Sequence, residues 1–209
     1  MSYEVIAIGA SWGGLQAVGT LLEGIPQQLD QTIVVAQHRS AESSRGVLES
    51  LLQRHIGRPV SEPGDKEPLE PRHVYVAPAD YHLLVEDSHF ALSVDARVQF
   101  ARPSIDVLFE SVAEVYRDRA IGIVLTGANE DGAAGLAAIK RNGGVSIAPA
   151  ARSPATSTVS VPALTANIST EPPAATRPSA PRNAASATGW ASSAPINAGM
   201  ISRYGSCIN

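Results

Sequence analysis

A chain of 209 residues with 44% hydrophobic content and a formal charge of −4 has material for one ordinary globular core and little more. The charge is uneven: residues 1–148 hold 12 Lys/Arg against 19 Asp/Glu, while 149–209 hold four Arg and one Glu, which leaves the larger part without a basic nucleic-acid face. The single cysteine, Cys207, excludes an internal disulfide, and neither a charged-then-apolar leader nor a run of the ~18 apolar residues that span a membrane is present, so the reading is a cytoplasmic protein that is not inserted in the membrane.

The first element is the β-branched run Val5-Ile6-Ala7-Ile8, which ends in Gly9-Ala10-Ser11-Trp12-Gly13-Gly14. This is the G-x-S-x-G spacing, in which glycines let a strand fold sharply into a helix and leave a serine hydroxyl exposed at the strand's end. The same turn also serves phosphate binding or plain packing of a helix on a strand. Leu15, Val18, Leu21 and Leu22 continue at helical spacing up to Gly24-Ile25-Pro26. Thr32 to Ala36 is a continuous apolar run, the mark of a parallel strand covered on both faces, and it delivers Gln37 and His38 at its end. A helix is expected over Ser43 to His55, with Val47, Leu48, Leu51 and Leu52 on one apolar face.

Pro59 to Arg72 is rich in proline and charge and reads as a surface loop or edge excursion. Val74 to Ala77 forms a short strand, and His82–Val85 with Phe90–Val94 flank Glu86-Asp87-Ser88-His89 as a hairpin. Ser104 is placed to cap a helix whose Ile105, Leu108, Phe109, Val112, Val115 and Tyr116 share a face. Ile121 to Thr126 is another buried-strand run, followed by the loop that carries Asp131, a small-residue helix from Ala133 to Asn142, and a strand starting at Val145. The pattern predicts a doubly wound, mostly parallel α/β sheet of the Rossmann-like kind with an antiparallel hairpin annex. From 149 onward 38 of 61 residues are Ala, Ser, Pro or Thr without periodicity, so the expected organisation is a folded domain over 1–148 and a disordered tail over 149–209.

Ser11, His38 and Asp131 each follow a buried strand, and in open parallel sheets the working crevice lies beyond the carboxyl ends of the strands. Brought together, they supply a nucleophile, a base and a carboxylate to orient the base. Each also has a plainer use: Ser11 and Asp131 as caps of the helices that follow them, His38 as a polar strand-end residue. The remaining histidines, His55, His73, His82 and His89, have no metal-ligand spacing, and they are given no role.

Five motifs in order, Gly9-Ala10-Ser11-x-Gly13-Gly14, Gln37-His38, Tyr75-Val76-Ala77-Pro78 with His82, Arg102-Pro103-Ser104-x-Asp106-x-Leu108-Phe109, and Leu125-Thr126-Gly127 to Asp131-Gly132-Ala133-x-Gly135, resemble the catalytic domain of the chemotaxis protein-glutamate methylesterases. The resemblance implies Ser11, His38 and Asp131 as the catalytic triad, no metal or organic cofactor, and hydrolysis of glutamate γ-methyl esters on the cytoplasmic helices of chemoreceptors, with deamidation of receptor glutamines as a companion activity. It also implies a catalytic domain without the receiver domain that commonly precedes it, and an atypical C-terminal segment. Trp12 stands where the family usually has a small residue, and Ala128-Asn129 where it has Met-Gly. An adaptor that binds receptor with impaired catalysis is the alternative. Arg102 and Thr126 are further candidates to line the substrate groove.

Overall fold

The computed structural model describes residues 2–11, 13–126 and 130–149. The expected tail over 149–209 lies, apart from its first residue, outside the described residues, as do Trp12 and the loop positions Ala128 and Asn129.

In chain order the elements are β1 (Val5–Ala10), α1 (Leu15–Gly24), β2 (Thr32–Gln37), α2 (Val47–Leu52) with a 3₁₀ turn at Gln53–His55, β3 (Val60–Ser61), β4 (Val74–Val76), β5 (His82–Glu86), β6 (His89–Ser93), α3 (Ile105–Tyr116) with a 3₁₀ turn at Arg117–Arg119, β7 (Ala120–Thr126), α4 (Ala133–Arg141) and β8 (Val145–Ile147). The six parallel strands lie in the order β3-β4-β2-β1-β7-β8. The chain builds outward from β1 to β2, β4 and β3 and then returns to the other side of β1, so the order reverses beside β1. That reversal opens the crevice at the carboxyl ends of β2, β1 and β7.

The apolar runs have no alternation because both sheet faces are covered. Val5 and Ala7 of β1 join Ile105, Leu108, Phe109, Val112 and Ile139 of α3 and α4 on one face. Ile6, Ile8 and Ala10 join Val18 and Leu22 of α1 with Leu48 and Leu52 of α2 on the other. Gly9 faces α3 so closely that a Cβ there would stand 2.4 Å from Ile105 Cγ2, which lets the start of α3 press against the end of β1.

Two expectations are refined. The second helix is shorter than Ser43–His55: Gly46 takes a left-handed φ of 84° immediately before it, and Val47 points into solvent while Leu48 and Leu52 are buried. The hairpin β5–β6 is a separate two-stranded antiparallel sheet rather than an extension of the main one. It packs on α3, where Ser111 Oγ accepts a hydrogen bond from Val85 N at 3.0 Å. The Pro59–Arg72 excursion contributes β3 at the sheet edge.

Candidate active site

Ser11 leaves β1 through a tight turn. Gly14 N donates to Ser11 O at 2.9 Å, Gly13 has φ 81°, and a Cβ on Gly14 would lie 2.6 Å from Thr126 Oγ1 and 2.9 Å from Ser11 O. Only glycine passes this point. The backbone N–H of Ser11 donates to both the carbonyl and the hydroxyl oxygen of Thr126 across the β1–β7 pair, each at 3.1 Å, at the place where the strand register shifts. Thr126 thus fixes the backbone that carries the serine. The Ser11 side chain is almost wholly enclosed, with the residue 8% exposed.

His38 follows the neighbouring strand. Ala10 pairs with Gln37 in register, and His38 N donates to Ala10 O at 2.9 Å, so the serine and histidine positions begin side by side at adjacent strand ends. Arg39, the next residue, donates to Ala77 O at 2.8 Å and pairs with Glu62, anchoring the exit of β2 to the region beyond β4.

Asp131 reaches the site from the far side of β1, beyond β7. Its Oδ2 lies 2.6 Å from His38 Nε2. A carboxylate only accepts, so Nε2 carries a proton and, in the neutral ring, Nδ1 is the nitrogen with a free electron pair. The same carboxylate accepts from Ser104 Oγ at 2.8 Å, Ile105 N at 2.8 Å and Asp106 N at 2.9 Å. Asp131 therefore sits on the first turn of α3, where unpaired N–H groups and the helix dipole favour an anion. Burial alone would raise its pKa. The bonds from His38, from the N–H groups of Asp106 and Ile105 and from the Ser104 hydroxyl outweigh that and hold it below the usual carboxylate range.

The plainer use of Asp131, as the cap of the helix that follows it, is not what the structure contains. The N-cap of α4 is Gly132, and the carboxylate that serves that helix comes from Asp106, whose Oδ1 accepts from Gly132 N at 2.9 Å and Gly135 N at 2.7 Å. Ser104 does cap α3, through Val107 N, while also holding Asp131.

Three further residues join the network around Asp131. Ser104 is a bridge between the α3 cap and the Asp131 carboxylate, Asp106 seats the loop that carries Asp131, and His82, with no role assigned from sequence, is fully buried with Nδ1 accepting from Ser104 N at 3.3 Å and Nε2 donating to Ala96 O at 3.1 Å. Arg102 is a strut: it bonds Asp80 Oδ1 at 2.7 Å and the carbonyls of Val94 and Asp95. Beside the turn that carries Ser11, an open cleft of about 380 Å³ is lined by Gly13, Leu15, Gln16, Leu51, Arg54 and His55. No cluster of three or more His, Cys, Asp or Glu suited to a metal ion occurs among the described residues.

The family model described as CheB methylesterase matches residues 6–175. A Leptospira interrogans protein provisionally named protein-glutamate methylesterase/protein-glutamine glutaminase is 48% identical over 148 residues, covering 70% of this chain and 76% of that protein. Protein-glutamate methylesterase/protein-glutamine glutaminase 1 of Rhodospirillum rubrum is 38% identical over 151 residues, 69% of this chain and 39% of that protein, so the chain spans about two fifths of this longer relative. The crystal structure of the Thermotoga maritima CheB methylesterase catalytic domain superposes with a TM-score of 0.63 at 30% identity, covering 70% of this chain and 79% of that one. With the family model spanning most of its length, the relatives aligned through the same core and the solved catalytic domain sharing its sheet, the chain belongs to the CheB methylesterase family.

Proposed function

We propose that Ser11, His38 and Asp131 hydrolyse glutamate γ-methyl esters on the cytoplasmic helices of chemoreceptors, within a catalytic domain of residues 1–148. The observation that carries this is the 2.6 Å His38–Asp131 pair, with His38 leaving the strand end beside the one that Ser11 leaves. The imidazole Nδ1 takes the Ser11 proton as Oγ attacks the ester carbonyl. Asp131, kept anionic by its bonds to α3, stabilises the imidazolium and holds its tautomer. The backbone N–H of Gly13, on the turn after the nucleophile, is the proposed donor to the oxyanion. Methanol leaves with the proton from Nδ1, and a water deprotonated by the same nitrogen then frees the glutamate. A glutamine side chain enters the same path with ammonia as leaving group, giving deamidation.

No helix of the described residues is long and apolar enough to cross a membrane. Action in the cytoplasm, on the cytoplasmic parts of receptors, is the proposed setting. The intact pairing of His38 with Asp131 supports an active enzyme over an impaired adaptor.

The test is methanol release from methylated receptor by the full chain and by Ser11→Ala, with circular dichroism on both. Release that falls by about 10⁶ in the variant, as for other triads stripped of the nucleophile, is the expected result. A folded wild-type protein that releases no methanol, or a Ser11→Ala protein that still does, would refute the assignment.

A further inference from the structure

Between β6 and α3 the chain makes a hairpin tip that the proposed chemistry does not use. Val98 N donates to Ala101 O at 3.1 Å and Ala101 N to Val98 O at 2.8 Å, enclosing a two-residue turn at Gln99-Phe100. Both turn residues have positive φ, 49° and 64°. This is the primed-turn pattern, which ordinarily selects Asn-Gly because a Cβ is disfavoured there. Here the second position is phenylalanine, and it is 95% exposed. A disfavoured backbone that ends in an aromatic ring held in water runs against stability twice.

The base of the tip is rigid. Arg102 bonds Asp80 and the carbonyls of Val94 and Asp95, and Arg97 lies 3.7 Å from the same Asp80 carboxylate. These pairings leave the ring as the group presented. The tip is also wired to the triad: Ala96 O accepts from His82, His82 accepts from Ser104 N, and Ser104 Oγ donates to Asp131. Three residues separate Phe100 from Ser104, so the tip stands within about 14 Å of the start of α3.

We propose that Phe100 is a docking finger for the substrate helix, the apolar contact that seats a methylated chemoreceptor helix against the crevice. The inference rests on the function proposed above. A glutamyl ester reaches only about 5 Å from its own Cα, so a helix offering that group to Ser11 has to lie on the strand ends. A helix about 10 Å across placed there meets the surrounding loops, and the 94–103 tip is one of them. A rigid aromatic gives large contact area with little side-chain entropy to lose, which suits a single anchoring point.

The test uses the full chain carrying Ser11→Ala, so that substrate is bound without turnover, and calorimetric titration with a methylated chemoreceptor cytoplasmic fragment. Replacing the tip by Gln99→Asn with Phe100→Gly installs the favoured turn. It is expected to raise Tm by about 2 °C or more while weakening binding at least tenfold. Phe100→Tyr keeps the ring and is expected to restore affinity. Unchanged affinity in the Asn-Gly variant would overturn the proposal, as would a joint fall of Tm and affinity, which marks a structural role. Failure of the Ser11→Ala chain to bind the fragment overturns it too. Self-association of the full chain that vanishes with the Asn-Gly tip would assign the finger to a second copy, against the proposal. A Ser11→Ala chain that binds through Phe100 while the wild-type protein releases no methanol defeats the esterase reading and leaves the finger standing.

Discussion

Asp131 and Asp106 occupy matching places and do different work. Each lies against the first turn of the helix that begins near the other: Asp131 on α3, Asp106 on α4. Both are buried. The helices approach closely enough that a Cβ on Gly135 would stand 2.4 Å from Phe109 Cβ and 3.2 Å from Asp106 Cα, so the exchange of carboxylates is the way these two helix starts are satisfied. Asp131 has four donors, among them His38 and a hydroxyl, and its pKa is pulled down. Asp106 has the two backbone donors Gly132 and Gly135, and burial, helped by the nearby Asp131 charge, pushes its pKa up. Burial is common to both, so the donor set decides the direction in which each carboxyl is shifted.

The largest effect should come from breaking that difference at Asp131. Asp131→Asn presents an amide to His38 and removes the charge that stabilises the imidazolium, so methanol release is expected to fall by about 10⁴, measured as kcat on methylated receptor. A loss below tenfold would show that His38 is oriented by something else. Asp106→Ala leaves Gly132 and Gly135 without their shared acceptor, at about 1–3 kcal/mol of stability in urea unfolding. Activity should drop by about ten- to a hundredfold as the Asp131 loop loses its seat. Asp106→Asn retains an oxygen acceptor and is expected to stay within about 1 kcal/mol of wild type. Equal behaviour of Ala and Asn would mean that the clip is not what Asp106 supplies.

Acid titration separates the two carboxyls by sign. The depressed pKa of Asp131 means stability that is present above its unfolded value of about 4 and lost as pH falls below it. The raised pKa of Asp106 acts oppositely: its contribution is present below about 4 and lost as pH rises through the folded value. Asp131→Asn should therefore flatten the acid limb of the stability curve, and Asp106→Asn should steepen it.

The strands and the three residues at their ends were legible because each signal is local: an apolar run, a glycine-rich stop, a reactive side chain. The topology rule that gathers strand ends in one crevice supplied the rest. What sequence did not yield is who bonds whom across the fold. The plainer use weighed for Asp131 was a cap for the helix two residues on, whereas its carboxylate meets one that begins 26 residues earlier, and only the packing of α3 on α4 decides between them. For Arg102, a candidate for the groove, the partners Asp80 and two carbonyls are likewise not revealed by a pattern of side chains. The overlong second helix had a different cause. Its expected start at Ser43 lay ahead of the first apolar residue, Val47, and the left-handed backbone of Gly46 begins the helix there.

His82 gives the smallest and most specific effect, since it stands outside the carboxylate exchange yet holds Ser104, which belongs to it. With Nδ1 accepting from Ser104 N and Nε2 donating to Ala96 O, the ring fits only when neutral, because an imidazolium would aim a second N–H at the Ser104 amide. Burial lowers its pKa, and the bond to Ala96 O offsets this only in part; the Arg102 charge adds to the lowering, while Asp131 and Asp95 oppose it. The unfolded chain therefore takes up a proton near pH 6.5 that the native state refuses. Stability is complete above that pH and declines as pH falls below it, by at most about 1.4 kcal/mol per pH unit from this one group. His82→Gln keeps a donor and an acceptor without a titration. It should lower stability at pH 8 by about 1 kcal/mol while making the decline below pH 6.5 shallower. Urea midpoints across that range decide it: burial lowers the pKa of His73 as well, which leaves a residual slope, so a slope unchanged by the substitution places the titrating group elsewhere, and a shallower one makes His82 the acid-sensitive link between the Phe100 tip and the Asp131 carboxylate.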